Sequence, residues 1–408
     1  MNSRIAVFFK LICLAYLIFL IPRVISLSGD RDINEGKKRK RDMWLGSEYL
    51  VKSQDEFGLF KNMKMGFVCG KHSVDQRGRN SVDQLTKHGY SLNKILVLLG
   101  DNGDKSFLRD FGKKHRKKFR GTTVYSFNRE SLRKLWADDI DAVMVDVQDS
   151  GVGNDTTLQV LLDIMRGAWR NHKKVIVLDR PNPLGEKIEG PGKVIPWRHG
   201  ITIGEMAYYL NKYILEQPMD LSVVPMVGWR RSRILPDLKS FHDRVFVDVM
   251  KEVRPMSVSV DVDTGENTLL FSEMNRLSDW EQQYFRRLFW KLGLHCKDHF
   301  CRGGSKGFDL KGVRFSVKKD IGKFSSFNAI VSILRFINYR KNVRMALSHQ
   351  FDEQFGSGLV RKFVRGSIGP KSFKLKLDKS LSKFYSNVKG CLLYKPYPVI
   401  ETPTLVKI

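Results

Sequence analysis

From Met65 to Tyr213 short apolar runs alternate with amphipathic stretches. Met65-Gly66-Phe67-Val68-Cys69, Lys94–Leu99 and Thr122–Ser126 predict three strands, with a helix near Ser81–His88. Ala142-Val143-Met144-Val145 is β-branched and apolar, and it is closed by Asp146-Val147-Gln148-Asp149 and the glycines Gly151 and Gly153. An apolar run ending in carboxylates and glycine predicts a buried parallel strand that delivers polar groups to a loop. Leu158, Val160, Leu161, Ile164, Met165 and Ala168 then recur at helical spacing. Val175-Ile176-Val177-Leu178 predicts the next strand, ending in Asp179-Arg180-Pro181-Asn182-Pro183-Leu184-Gly185. Two strands joined by a helix make a βαβ unit, and ligands of such sheets bind beyond the C-terminal strand ends. A third polar loop, Pro196–Glu205, leads into an amphipathic helix through Tyr213.

Pro225 and Pro236 bracket Trp229-Arg230-Arg231 as linker punctuation. Beyond it, strands are expected near Gly312–Val317 and Leu392–Tyr394, and helices near Phe327–Asn338 and over 376–388. No internal repeat is apparent. The fold expected is α/β: a Rossmann-like parallel-sheet domain over 59–230, then a smaller mixed α/β domain over 231–408, with the cleft at their junction. A chain of 408 residues is long enough for two such cores.

Residues 1–26 have the pattern of a targeting segment: Arg4, then mostly apolar Ile5–Ile21 interrupted by Lys10, then Val24-Ile25-Ser26 suited to cleavage before Leu27. The same apolar stretch is nearly long enough to act as an uncleaved anchor. Either way the body is expected outside the cytoplasm, periplasmic or secreted. Residues 27–58 are charged, lack periodicity and read as a linker.

Charge narrows the partners. Lys and Arg number 71 against 43 Asp and Glu, a formal net charge of +28, which draws the chain toward anionic surfaces and polymers. The runs Lys37–Arg41 and Lys113–Lys118 lack interleaved aromatics and read as solvated faces rather than a nucleic-acid module. Past the targeting segment stand Cys69, Cys296, Cys301 and Cys391, too few for a disulfide scaffold. His295-Cys296-x-x-His299-x-Cys301 has zinc-type ligands, but the spacing is not that of a finger and no second ligand group accompanies it. Isolated thiols or a disulfide are expected there, and no metal. Gly185 and Gly190–Gly192 lie too far apart to cradle a phosphate, so no nucleotide cofactor is expected.

Three phrases, Asp146-Val147-Gln148-Asp149-x-Gly151-Val152, Val177-Leu178-Asp179-Arg180-Pro181-Asn182-Pro183-Leu184-Gly185 and Arg198-His199-Gly200-Ile201-Thr202-Ile203-Gly204-Glu205, stand in this order within seventy residues. Together they resemble the NamZ-type exo-β-N-acetylmuramidase family, bacterial glycosidases that remove terminal N-acetylmuramic acid from peptidoglycan fragments. The resemblance runs more thinly from about Met63 to Tyr394, with Trp229-Arg230-Arg231, Lys311–Phe315 and Cys391–Tyr394 as later landmarks. It implies that Gly100-Asp101-Asn102-Gly103 matches a family Pro-Glu-His-Gly whose glutamate is the catalytic carboxylate, so Asp101 takes that place and Asn102 replaces the histidine. It further implies that Asn128 stands for a site tyrosine, Gly153-Asn154-Asp155-Thr156-Thr157 for Arg-x-Tyr-Thr-Tyr, and Gly70-Lys71-His72-Ser73 for Asn-x-Thr-Gly. Leu270–Asn275 stands for a sugar-closing loop, without its arginine and glycines.

Glycoside cleavage needs a proton donor to the leaving oxygen and a stabilised oxocarbenium-like transition state, supplied by carboxyl groups flanking the bond. Asp101 is the candidate acid, with burial raising its pKa. Asp146, Gln148, Asp149, Asp179 and Asn182 are candidate substrate-binding residues at the loop ends, with Asn275 from the later loop. Arg180 and Arg198 suit the lactyl carboxylate of muramic acid, because guanidinium pairs with carboxylate bidentately. His199 suits a sugar hydroxyl or a proton transfer. The competing roles are structural: Asp146, Asp149 and Asp179 capping helices or loop amides, Asp179 and Arg180 forming an ion pair, and Glu205 opening a helix. The expected activity is an exo-acting glycoside hydrolase taking peptidoglycan fragments or muropeptides, without cofactor. The alternative is a catalytically impaired relative that binds muropeptides or the anionic wall, and a third, carried only by charge, is a secreted polyanion binder.

Overall fold

A computed structural model of the chain describes residues 43–98, 123–137, 139–233, 249, 253–254, 256–260, 267–271, 277–301, 310–317, 324–339 and 346–401. The targeting segment, Lys113–Lys118, Asp101 and Asn275 lie outside the described residues. Among those described, no helix is long and apolar enough to cross a membrane.

The elements follow in order α1 (Gly46–Lys52), α2 (Gln54–Phe57), β1 (Met65–Gly70), α3 (Ser81–Lys87), β2 (Leu92–Leu98), β3 (Thr123–Ser126), α4 (Arg129–Ala137), β4 (Ala142–Asp146), α5 (Thr156–Arg170) and β5 (Lys174–Leu178). Next come β6 (Lys187–Ile188), α6 (Ile203–Tyr213), β7 (Leu221–Val224), β8 (Val253–Arg254), β9 (Met256–Val260), β10 (Asn267–Phe271), α7 (Asp279–Lys291), β11 (Leu294–Cys301) and β12 (Leu310–Val317). The chain closes with α8 (Ser326–Asn338), β13 (Ala346–Leu347), α9 (His349–Gln354), α10 (Leu359–Val364), α11 (Pro370–Val388) and β14 (Val399–Ile400).

Two compact units interleave along the sequence rather than meeting once near residue 230. Unit 1 takes the chain to Val147 with Leu161–Asp179 and Leu210–Gly228; unit 2 takes Gln148–Val160, Arg180–Tyr209 and everything from Trp229. Unit 1 is a six-stranded sheet in the order β3-β2-β1-β4-β5-β7, and every neighbouring pair is parallel. That is the doubly wound order, with its reversal between β1 and β4. Consecutive residues of β4 and β5, Ala142–Val145 and Val175–Leu178, are fully buried. Alternation is absent because both faces of a parallel sheet are covered.

The segment from Met43 to Gly58, read from sequence as the end of a linker, is part of unit 1. Met43, Leu45 and Leu50 are buried, Trp44 and Val227 exchange backbone hydrogen bonds of 2.9 Å, and the Gly46 N–H donates to the Asp179 carbonyl at 3.0 Å. A Cβ at Gly46 would stand 2.3 Å from the Asp179 nitrogen, so only glycine lets this helix start reach the sheet. Its apolar residues, clustered at Met43–Leu45 and Tyr49–Val51 with Phe57 beyond, show no sustained period.

Unit 2 carries a four-stranded sheet in the order β11-β12-β10-β9, with antiparallel neighbours throughout, and a core rich in phenylalanine. Phe285 meets Phe336 at 5.4 Å between ring centroids, and Phe363 stacks on Phe373 at 4.0 Å. Helix α11 opens with Pro370 in its first turn and buries Phe373, Leu377, Leu381, Phe384 and Val388 on one face. The strand expected at Leu392–Tyr394 is absent: a 3-10 turn at Lys389–Cys391 leads into extended chain. The Leu393 and Tyr394 N–H groups donate to the Glu205 carboxylate at 2.7 and 3.3 Å instead of to a neighbouring strand.

Candidate functional site

In unit 1 the sheet's reversal lies between the ends of β1 and β4, the place where parallel α/β sheets receive ligands. Cys69 and Asp146 are register partners there. The loop leaving β1 is fixed by Ser73, whose Oγ accepts from the Gly70 N–H at 2.8 Å and donates to the Asp146 carbonyl. The Asp146 side chain is fully buried, as is Ser73. Asp179, directly after β5, is also fully buried, with its carbonyl holding Gly46. Asn128 caps α4: its Oδ1 accepts from the Ser131 N–H at 2.8 Å.

In unit 2 the three retained phrases form one buried polar network around His199. Its Nδ1 receives the Ile201 N–H at 3.3 Å and faces the Asn182 amide nitrogen at 3.4 Å. Two donors directed at Nδ1 make it the acceptor, which places the ring proton on Nε2. Nε2 in turn lies 3.0 Å from the Asp149 carboxylate. The same Asp149 oxygen accepts the Gly151 N–H at 2.9 Å, while its second oxygen is buried without a hydrogen-bond partner. Asn182 closes the circuit, giving its amide to the Ile201 carbonyl at 2.9 Å and accepting from the Leu184 N–H at 2.8 Å. Gln148 ties the first two loops together by donating at 2.9 Å to the carbonyls of Asp149 and Pro181. Gly151 has φ of +89°, and a Cβ there would stand 2.7 Å from Asn182 Oδ1.

Two further charges are neutralised in this interior. Arg198 is fully buried and gives Nη1 to Glu189 Oε1 at 2.9 Å and to the Phe324 carbonyl at 3.0 Å; its Nη2 donates to the Leu184 carbonyl. Burial pushes the Glu189 carboxyl above its ordinary range against the opposing pull of Arg198. Glu205 forms a capping box with Thr202, accepting its N–H at 2.9 Å. Its other oxygen takes Arg231 Nη2, which places Arg231, buried at 1% exposure, on the same carboxylate as Leu393 and Tyr394.

The structure therefore gathers Gln148, Asp149, Asn182 and His199 into one network and gives Arg198 to Glu189. Arg180 is buried at 3% exposure in unit 2. Sequence reasoning gave no role to Ser73, Glu189 or Arg231: Ser73 and Arg231 stood only within a loop phrase and a landmark, and Glu189 stood outside every phrase. Ser73 had a local signal, a Gly-x-x-Ser loop directly after a strand. A cavity of about 200 Å³ in unit 2 is lined by Asn154, Asp155, Gln159, Lys193, Trp197 and Gln354, among others. Gly153 forms part of it, and a Cβ there would stand 2.5 Å from the Pro196 carbonyl oxygen. Among the described residues no group of His, Cys, Asp and Glu is placed to hold a metal ion. Within the His295/Cys296/His299/Cys301 stretch, His295 and Cys296 are consecutive positions of β11, on opposite faces of the sheet. Cys69 and Cys391 are buried, and Cys296 is half-buried.

Sheet order and strand-end loops define a doubly wound α/β protein with a second, mixed α/β unit. Residues 65–243 match the family described as "Exo-beta-N-acetylmuramidase NamZ, N-terminal". Over these residues the chain matches the NamZ family as a divergent relative. It is 25% identical to the peptidoglycan β-N-acetylmuramidase NamZ of Bacillus subtilis strain 168, over 92% of this chain and 97% of that protein. Two crystal structures of DUF1343 family proteins from Bacteroides fragilis NCTC 9343 share the fold. One has a TM-score of 0.69 at 22% identity, covering 86% of this chain and 99% of its own. The other has a TM-score of 0.61 at 18% identity, covering 88% and 100%.

Proposed function

We propose that the chain is an exo-acting glycoside hydrolase that releases terminal N-acetylmuramic acid from peptidoglycan fragments. Similarity to a peptidoglycan β-N-acetylmuramidase over 92% of the chain carries the reading. Among the candidate carboxylates, Asp146, Asp149, Asp179 and Glu205 are all buried at 2% exposure or less. Asp149 and Glu205 are already bonded to loop amides. The proton donor is therefore assigned to Asp101, matching the family glutamate, and the buried network is assigned to holding the loops. A carboxyl one methylene shorter places the proton about 1 Å from its family position, a change that costs roughly a hundredfold in rate. Slow turnover is expected. Arg198, paired with Glu189, is withdrawn as a candidate for the lactyl carboxylate. Residues 1–26 are assigned to export, which would bring the chain to the cell wall.

A second reading, a muropeptide-binding protein without hydrolysis, is favoured by Asn128 and Gly153. Asn128 caps a helix, and Gly153 occupies a backbone contact that admits no side chain. Full-length chain would be assayed on a chromogenic N-acetylmuramide beside the Asp101→Asn variant. Chromophore release lost in the variant supports hydrolysis with Asp101 as acid. No release, with saturable calorimetric binding of the muramic acid disaccharide, gives the second reading; neither one overturns both.

A further inference from the structure

Helix α7 buries Gln282, Phe285, Leu288 and Phe289 in unit 2. Its opposite face is unusual for a solvated helix. Trp280 and Trp290 are 64% and 66% exposed, whereas tryptophan is normally mostly covered. Helical geometry puts Trp280, Gln283, Tyr284, Arg287, Trp290 and Lys291 on one face spanning about 15 Å of axis. Trp280 is held in place: it stacks on Tyr284 with centroids 5.6 Å apart and planes 27° apart, and Tyr284 stacks on the buried Phe336 at 5.4 Å and 16°. A ladder of rings rooted in the core thus ends in an outward-facing indole. Gln283, Arg287 and Lys291, all exposed, supply an amide and two cations beside it. Glu281 is turned to the helix start, accepting from the Ser278 N–H at 2.9 Å.

We infer that this face of α7 is a docking platform for an acidic glycan, holding the polymer on which the protein acts. Flat, rigid indoles present the surface on which the apolar C–H face of a pyranose stacks. Arg287 and Lys291 meet the carboxylates such a glycan carries. A net charge of +28 favours an anionic partner over a neutral one. The apolar side of α7 is packed into the core, and its outward face interleaves Gln283, Arg287 and Lys291 with the indoles, so it offers no continuous apolar stripe to embed in a bilayer. Two cations on the face are too few to track a nucleic-acid backbone by charge alone. The identity of the glycan, peptidoglycan, rests on the function proposed above; the platform itself does not.

The full chain would be co-sedimented with purified peptidoglycan sacculi at fixed ionic strength, together with the variant Trp280→Ala/Trp290→Ala. The expected result is binding weakened about tenfold or more, with turnover of the small chromogenic muramide unchanged. Retained binding by Trp280→Phe/Trp290→Phe, and an unchanged melting temperature for both variants, would separate stacking from misfolding. Failure of turnover in every form would strike only the hydrolase reading, since sacculus binding is read independently. Absence of parent binding to sacculi, or equal binding by parent and Ala variant, overturns the platform. So does a loss confined to phosphatidylglycerol vesicles or to duplex DNA.

Discussion

Arg198 and Glu189 meet with neither side chain reaching solvent, Nη1 lying 2.9 Å from Oε1. Their backbones are joined as well, each N–H donating to the other's carbonyl at 2.8 Å. Glu189 then passes its second oxygen to the Phe327 N–H at 3.2 Å, at the start of α8. A sequence phrase that suggests a ligand-binding arginine thus belongs to the interior, where one charge answers another and both hold loops.

Removing one partner of such a pair leaves the other charged and buried. Arg198→Met is expected to cost about 3–5 kcal/mol in urea unfolding at neutral pH. The loss should shrink as the pH is lowered. Burial already places the folded Glu189 carboxyl above its unfolded value of 4.5, so the folded state binds the proton more readily. Protonation therefore favours folding at low pH, and that favour disappears as the pH rises through the raised folded value. Equal destabilisation at pH 5 and pH 8 would contradict this.

Gly151 has φ of +89° and lies against Asn182 and Leu184. Gly151→Ala imposes both a strained backbone and a steric clash, so unfolding stability should drop by about 1–3 kcal/mol or more. A thermal midpoint within a degree of the parent would show that the loop yields freely.

Glu205 gathers Thr202, Arg231, Leu393 and Tyr394 on one carboxylate. Glu205→Ala should release the C-terminal segment while orphaning Arg231, at a cost of about 3–5 kcal/mol. Amide hydrogen exchange reads this locally: the Leu393 and Tyr394 amides should exchange faster while those of β1 and β4 keep their order of protection. Unaltered exchange at Leu393 and Tyr394 would remove Glu205 as their anchor.

His295 and Cys296 point to opposite faces of β11, so these two neighbours cannot meet on one ion. Treatment with a chelator is expected to leave the melting temperature unchanged, and metal analysis to give less than one zinc per chain. A stoichiometric zinc whose removal lowers the melting temperature would overturn the expectation.

The sequence by itself determined the parallel sheet, because strands buried on both faces write unbroken apolar runs such as Val143–Val145 and Val175–Leu178. It also delimited the loops, because carboxylate, glycine and proline clusters must follow such strands. Local pattern could not reveal what the loop residues touch. Glu189 reaches Arg198 and Phe327, Glu205 reaches Leu393 and Tyr394, and Ser73 reaches the end of β4. These contacts join residues from nine to 189 positions apart. Spacing in sequence carries no record of them; burial does, since a polar group taken out of water must find its partner wherever the fold brings one. Only the tertiary structure showed that Asp149, Arg198 and His199 are buried and which loop groups each one meets.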